Sequence, residues 1–245
     1  MVVATPEVHR PQRGTLPTQQ PAAGKACWWL DLGLVRYQDA WSEQIRQVEA
    51  VKQGSPEDRL LFVEHPHVVT LGRNSNEANL LAGPERLAEL GIDLRPTDRG
   101  GDVTYHGPGQ IVGYPILNLA DWKKDVAAYM RALEEVVIRT LSDYGIDGER
   151  DDEATGVWVD GAKVAALGVH VSRWVSSHGF ALNVTTDLSY FEHIVPCGLK
   201  RPVTSMEKLL GEAPAREKVR ADLVRRFGEV FERSMQSADE EHLPK

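Results

Sequence analysis

The sequence predicts one α/β domain built on a mixed sheet, and three observations predict it. Segments with helical spacing of apolar residues alternate with runs of β-forming residues along most of the chain. Two of those runs are joined by Asp160-Gly161, the dipeptide that closes a tight hairpin, so antiparallel neighbours belong in the sheet. No βαβ unit repeats, which disfavours a doubly wound dinucleotide fold.

Taken in order, "CWWLDLGLV" reads as a first strand. "YQDAWSEQIRQVEAVKQG" places Ala40, Trp41, Ile45, Val48 and Val51 at helical spacing and stops at Gly54. "DRLLFVEH" and "VVTLG" read as short strands, and "GPERLAELG" as a short helix with proline at its start and glycine at its end. "IDLRPTD" leads into the glycine-rich "RGGDVTYHGPGQ", and "IVGYPILNL" is strand-like. A long helix from about Val126 to Tyr144 puts Ala127, Met130, Leu133, Val137 and Leu141 on one face. The hairpin "TGVWVDGAKVAALGV" and the strand "HGFALNV" follow. "VTSMEKLLG" offers Thr204 as a helix cap with Glu207 three positions on, a capping box. "REKVRADLVRRFGEVFE" closes the domain as an amphipathic helix. The expected boundaries are a disordered tail over 1–25, a single domain over 26–233, and a frayed tail over 234–245.

At 245 residues, 42% hydrophobic and 26% charged, the chain can bury a full core and has an ordinary soluble composition. No run approaches the roughly 20 apolar residues of a membrane span, and the first residues hold no apolar stretch of a secretory signal. A net charge of −8 argues against a general nucleic-acid surface. Two cysteines, Cys27 and Cys197, cannot build a disulfide framework, and a reducing, cytoplasmic home suits them. Cys27, before "WWLDLG", reads as a packed small hydrophobe.

Four glycines fall within the twelve residues of "RGGDVTYHGPGQ". Either the backbone is crowded there, or a ligand lies against it with Arg99, Thr104, Tyr105 and His106 as shaping contacts. Neither a Walker phosphate loop nor a Gly-x-Gly-x-x-Gly fingerprint is present. Lys163 follows the hairpin turn, where an exposed lysine is commonplace. If it faces inward, the small apolar "VAALG" leaves its ammonium few polar neighbours, and its charge would lower the pKa of any nearby thiol. His65 and His67 have no evident third ligand, and His193 with Cys197 is too small a set for zinc, so no metal site is expected. His170 and His178 fit ligands, bases or satisfied core groups equally. Pro196 and Gly198 mark a turn around Cys197, where a side chain is more often displayed than buried. Taken alone, Cys197 still reads first as a packed small hydrophobe. If the chain performs covalent acyl chemistry, the absence of a Gly-x-Ser-x-Gly elbow makes Cys197 the candidate, with Lys163 or His106 as its activating neighbour.

Read together, "EHPHVVTLGR", "RGGDVTYHGPGQ", "GVWVDGAKVAALG" and "SHGFALNV…LSYFEHIVPCG" closely resemble the lipoyl(octanoyl) transferases over about residues 28 to 210. The resemblance implies a fold like the catalytic domains of biotin and lipoate protein ligases, with a mixed sheet, a smaller sheet and surrounding helices. It implies transfer of an octanoyl group from octanoyl-acyl carrier protein to one lysine of a lipoyl domain, the first step of protein lipoylation, with no cofactor. The acceptors would be the lipoyl domains of 2-oxoacid dehydrogenase complexes and the glycine-cleavage carrier protein, with no nucleic acid or membrane partner. By motif, Cys197 would be the acyl-thioester nucleophile and Lys163 the group that lowers its pKa. Substrate would be cradled by Arg99, Gly100, Gly101, Asp102, Val103, Thr104, Tyr105 and His106, by Ala166, Leu167 and Gly168, and by Gly179, Phe180 and Ala181. Leu199 stands where many relatives carry isoleucine. Candidate basic contacts for an acidic carrier protein are Lys123, Lys124, Arg173, Lys200 and Arg201. An ATP-dependent ligase on the same fold, a silent carrier-binding module and a cysteine hydrolase are the rival readings.

Overall fold

The structure is a computed structural model that describes residues 24–195 and 201–238. The first strand, β1 (Lys25–Leu34), leads to helix α1 (Tyr37–Lys52) and strand β2 (Asp58–Glu64). Strand β3 (Val68–Leu71), helix α2 (Pro84–Glu89), and strands β4 (Asp93–Pro96), β5 (Val103–His106) and β6 (Gln110–Ile116) follow. After helix α3 (Val126–Ser142) come β7 (Val157–Val159), β8 (Ala162–Ser172) and β9 (Val175–Asn183). Helices α4 (Met206–Leu210) and α5 (Arg216–Phe231) precede the last strand, β10 (Arg233–Ser237).

Seven strands form a mixed sheet in the order β10-β1-β2-β6-β9-β8-β7, and three form a smaller sheet in the order β4-β3-β5. β10, β1 and β2 are parallel, and the remainder of the large sheet is antiparallel. The two faces of the large sheet have different partners. Leu60, Phe62, Ile111 and Leu182 face α3 and α5 in the main core, with Leu133, Val137, Leu223 and Phe227 opposite them. Leu61, Val63, Val112, Tyr114 and Ala181 face the other way, toward Ala40, Val48 and Val51 of α1. A third apolar cluster, including Val69, Leu87, Val103, Tyr105 and Phe191, supports the small sheet. The predicted mixed sheet, smaller sheet and helices are all present.

Local expectations mostly hold. Asp160 and Gly161 both take positive φ, 49° and 73°, as a primed hairpin turn requires. Cys27 is fully buried in the main core, and burial raises its thiol pKa far above the ordinary value. Three details differ. Ser205, not Thr204, caps α4 by accepting from the Lys208 N–H; Thr204 instead extends along Lys163, donating its N–H to the Lys163 carbonyl at 2.9 Å. Ile45, expected on the buried face of α1, is half exposed, and Gln44 and Gln47 are buried in its place. The frayed tail expected from residue 234 is a strand as far as Ser237. It pairs with β1, and Arg233 anchors it with its Nε 2.8 Å from the buried Asp58 carboxylate. A polar stretch carries no apolar period, so an edge strand held by one ion pair reads as a tail.

Candidate functional site

A cleft with about 460 Å³ of empty space, part of it open to solvent, lies between the two sheets. Its floor is a groove of small residues made where β8 pairs with β9: Ala166 opposes Ala181, and Gly168 opposes Gly179. Val112 and Tyr114 of β6 extend the floor, Thr104 and His106 of β5 form the roof, and Tyr37 of α1 closes one side. Gly168 is required there by close approach, because a Cβ would sit 2.8 Å from the Gly100 carbonyl. That contact lets the residue 99–101 loop lie on β8, with the Gly100 N–H donating to Val169 O at 2.9 Å.

The cleft gathers ten residues singled out in the sequence: Arg99, Gly101, Thr104, His106, Ala166, Leu167, Gly168, Gly179, Phe180 and Ala181. Arg99 is nearly buried and ties its loop to β3 through Thr70, donating to the Thr70 carbonyl at 2.7 Å. The other four lie outside the cleft lining. Gly100 holds the loop to β8. The Asp102 carboxylate accepts from the Asn76 and Val103 N–H groups at 3.0 and 2.8 Å and so shapes the loop. Val103 and Tyr105 point into the third core cluster, where the Tyr105 hydroxyl meets His67 Nδ1 at 2.7 Å. Strand alternation explains the split, since Thr104 and His106 share one face of β5 and Val103 and Tyr105 the other. Tyr37, Val112, Tyr114 and His178 line the cleft without having been predicted to do so. Val112 and Tyr114 alternate on β6 with the core residue Ile111, a period-2 signal within "QIVGYPI" that could have found them.

Three of the cleft residues, Thr104, Ala166 and Ala181, also line a smaller pocket with Lys163, Gln110, Asn183, Phe191 and Val203, so the groove continues to Lys163. Lys163 faces inward and is 5% exposed. Regular alternation on β8 would place it with Ala165 and Leu167, on the α3 side. A bulge reverses this: Val157 and Trp158 are adjacent but pair with Ala165 and Lys163, which leaves Val164 as the extra residue. Val164 and Ala165 both enter the main core, and Lys163 turns to the cleft side. Its ammonium donates to the Thr155 carbonyl at 3.1 Å and stands 4.7 Å from the centre of the Trp158 ring. The loop carrying Thr155 is fixed by buried Glu134 of α3, whose carboxylate accepts from the Gly156 N–H at 3.2 Å.

A chain of side-chain bonds supports this end of the groove. His106 Nδ1 donates to Gln110 Oε1 at 2.8 Å, Gln110 Nε2 donates to Asn183 Oδ1 at 2.9 Å, and Asn183 Nδ2 donates to the Thr204 carbonyl at 3.0 Å. Asn183 thus fixes the chain that runs beside Lys163. Burial holds the His106 imidazole neutral, with its pKa pushed down to about 3, and that of His65 to about 4. His106 is therefore a neutral donor at pH 7 and a poor source of positive charge for a thiol. His178 is also pushed down by burial, while its hydrogen bond holds Asp98 below the usual carboxylate range. Among the described residues no His, Cys, Asp and Glu group is disposed to hold a metal ion, and no helix is long and apolar enough to cross a membrane. Cys197 lies outside the described residues, as do Pro196, Gly198, Leu199 and Lys200.

Comparison with known proteins agrees with this architecture. Residues 36–228 match the model of the lipoyl protein ligase A/B catalytic domain. An octanoyltransferase of Solibacter usitatus is 56% identical over 209 residues, which cover 85% of this chain and 94% of that protein. Among solved structures, a bi-partite lipoate protein ligase from Thermoplasma acidophilum superposes with a TM-score of 0.64 at 16% identity, covering 89% of this chain and 88% of that one. Biotin protein ligase from Aquifex aeolicus gives 0.50 at 14% identity, covering 85% and 71%. With the family model spanning most of the chain and a relative of this identity along nearly its whole length, the protein belongs to the octanoyltransferases of the lipoyl protein ligase A/B catalytic-domain family and is an acyltransferase.

Proposed function

We propose that the protein takes an octanoyl group from octanoyl-acyl carrier protein onto Cys197 and passes it to a lysine of a lipoyl domain. The observation that carries this reading is a buried ammonium, Lys163, at one end of a groove floored by alanine and glycine. The described chain on both sides of the Pro196-Cys197-Gly198 triplet is anchored: the Val195 N–H donates to Asn79 O at 2.7 Å, and Pro202 O accepts from the Lys163 N–H at 2.9 Å. On the carboxyl side, the anchor is Lys163 itself.

The Cys197 thiolate attacks the thioester carbonyl of the donor, a C–S bond forms, and the phosphopantetheine thiol leaves and takes up a proton. The acceptor lysine, neutral when it attacks, forms an amide and returns the thiol of Cys197, which is downhill without ATP. Lys163 stabilises the thiolate and shuttles the proton between leaving thiol and incoming amine. Apolar burial of the acyl chain contributes about 0.8 kcal/mol for each methylene, before the costs of binding. Of the candidate carrier contacts, Arg201 is engaged by Asp151 at 2.7 Å and lies over Trp158, whereas Lys123, Lys124 and Arg173 are exposed.

Incubation with octanoyl-acyl carrier protein and a lipoyl domain, ATP withheld, tests the reading. Octanoyl-lipoyl domain should accumulate, Lys163→Ala should slow it at least about 100-fold, and the pH midpoint for alkylating Cys197 should rise in that variant. A requirement for ATP would favour a ligase, release of free octanoate a hydrolase, and an unchanged alkylation profile would remove Lys163 from the activating role.

A further inference from the structure

We infer that His178, braced by Asp98, is the end wall of the acyl groove and sets the length of chain the enzyme accepts; this rests on the acyl-transfer reading above. The groove runs from Lys163 past Ala166 and Ala181 to Gly168 and Gly179. His178 comes next, opposite Val169 on β8, and a span of three residues from Ala166 is about 10 Å at roughly 3.3 Å per residue. That distance suits an eight-carbon chain whose carbonyl sits beside Ala166, in the pocket that Lys163 also lines.

The ring of His178 lines the groove, with Tyr114 at 6.3 Å between ring centres. Its neighbours Trp41, at 6.1 Å between ring centres, and Asp98 line a second cleft, with ≈ 450 Å³ of empty space partly open to solvent. This second cleft is lined by α1, the far ends of β8 and β9 and the loop after β4, including Gln44, His170, Ser177 and Asp98, and the proposed chemistry does not use it.

The wall is built rather than incidental. His178 has φ of +56°, a left-handed conformation inside a strand that a non-glycine residue adopts only when its surroundings impose it. Two bonds impose it. The buried Gln44 Oε1 accepts from the His178 N–H at 2.8 Å, and the Asp98 carboxylate accepts from His178 Nε2 at 2.7 Å. The side chain is 2% exposed, so the ring cannot leave the wall without breaking the Asp98 bond or entering the second cleft. Without the ring, groove and second cleft would join, and a longer chain would have somewhere to go.

Two variants test the inference. His178→Gly keeps a residue suited to positive φ and removes the ring; Asp98→Ala, at a partly exposed site, frees the ring to swing. Transfer from octanoyl- and dodecanoyl-acyl carrier protein is compared with the binding of octanoate and dodecanoate measured by calorimetry. The wild-type chain should favour the shorter group at least about tenfold in both assays. His178→Gly should move the dodecanoyl-to-octanoyl ratio up by at least about tenfold, and Asp98→Ala should move it the same way by less. Should His178→Gly fail to fold, Asp98→Ala decides alone. Unchanged ratios in a folded variant, or a wild type indifferent to length, overturn the inference. Octanoate preferred in binding, shifted by the variants, with no octanoyl transfer by the wild type would sink the transfer reading and leave the wall standing.

Discussion

At the scale of single residues, burial decides which groups carry charge. His65 and His106 are held neutral in the fold with pKa values near 4 and 3, against an ordinary 6.5 in the unfolded chain. The unfolded state therefore binds more protons than the native state as pH falls below about 6.5, and stability falls with it. Each histidine contributes a slope of about 1.4 kcal/mol per pH unit until its own folded pKa is reached. Urea unfolding at pH 7.5 and 5.0 should show this loss, and His65→Phe should flatten it; equal stability at the two pH values would contradict the neutral assignment. Little of this was legible beforehand. The sequence left His178 open among ligand, base and core group, because a positive φ in mid-strand and a carboxylate eighty residues away leave no local pattern. Lys163 was legible only conditionally, since a lysine after a hairpin turn is usually exposed.

Among the elements, the Asp160-Gly161 hairpin was readable because its turn chemistry is local, and the helices were readable because their apolar spacing is. The bulge in β8 was not. "AKVAALG" gives no sign that Val164 is the extra residue, yet the bulge is what turns Lys163 to the cleft. Inserting one residue between Val157 and Trp158 would give Val164 a partner and abolish the bulge, driving the ammonium toward the apolar core at a cost of several kcal/mol of stability and nearly all transfer. In that background, Lys163→Met should recover stability but no activity. Full transfer by the insertion variant would refute the role of the bulge. The last strand was misread for a related reason, its anchor being tertiary. Arg233→Ala strips the buried Asp58 of its closest guanidinium and should cost about 3–5 kcal/mol in urea unfolding. Lys25, 3.0 Å from the same carboxylate, remains as partial compensation and sets the lower end. Loss of the exposed Arg226–Glu229 pair through Glu229→Ala should cost no more than about 1 kcal/mol.

For the whole molecule, the two sheets divide the work. The large sheet supplies a floor stripped of side chains along β8 and β9, and the small sheet supplies a roof carrying Thr104 and His106. α1 covers the same face and contributes Gln44 to the end of the groove. The fold class and most of the cleft lining were legible because the motifs that carry them are contiguous in the chain. What they form between two sheets was not, since Tyr37 and Tyr114 reach the cleft only through tertiary packing. The central claim is that the acyl group rests on one sulfur during transfer. Intact-protein mass spectrometry after brief exposure to octanoyl-acyl carrier protein, with no acceptor present, tests it most directly. The wild-type chain should gain the mass of one octanoyl group in a hydroxylamine-labile linkage and Cys197→Ser should gain none; an unmodified wild-type chain that still octanoylates its acceptor would contradict the account.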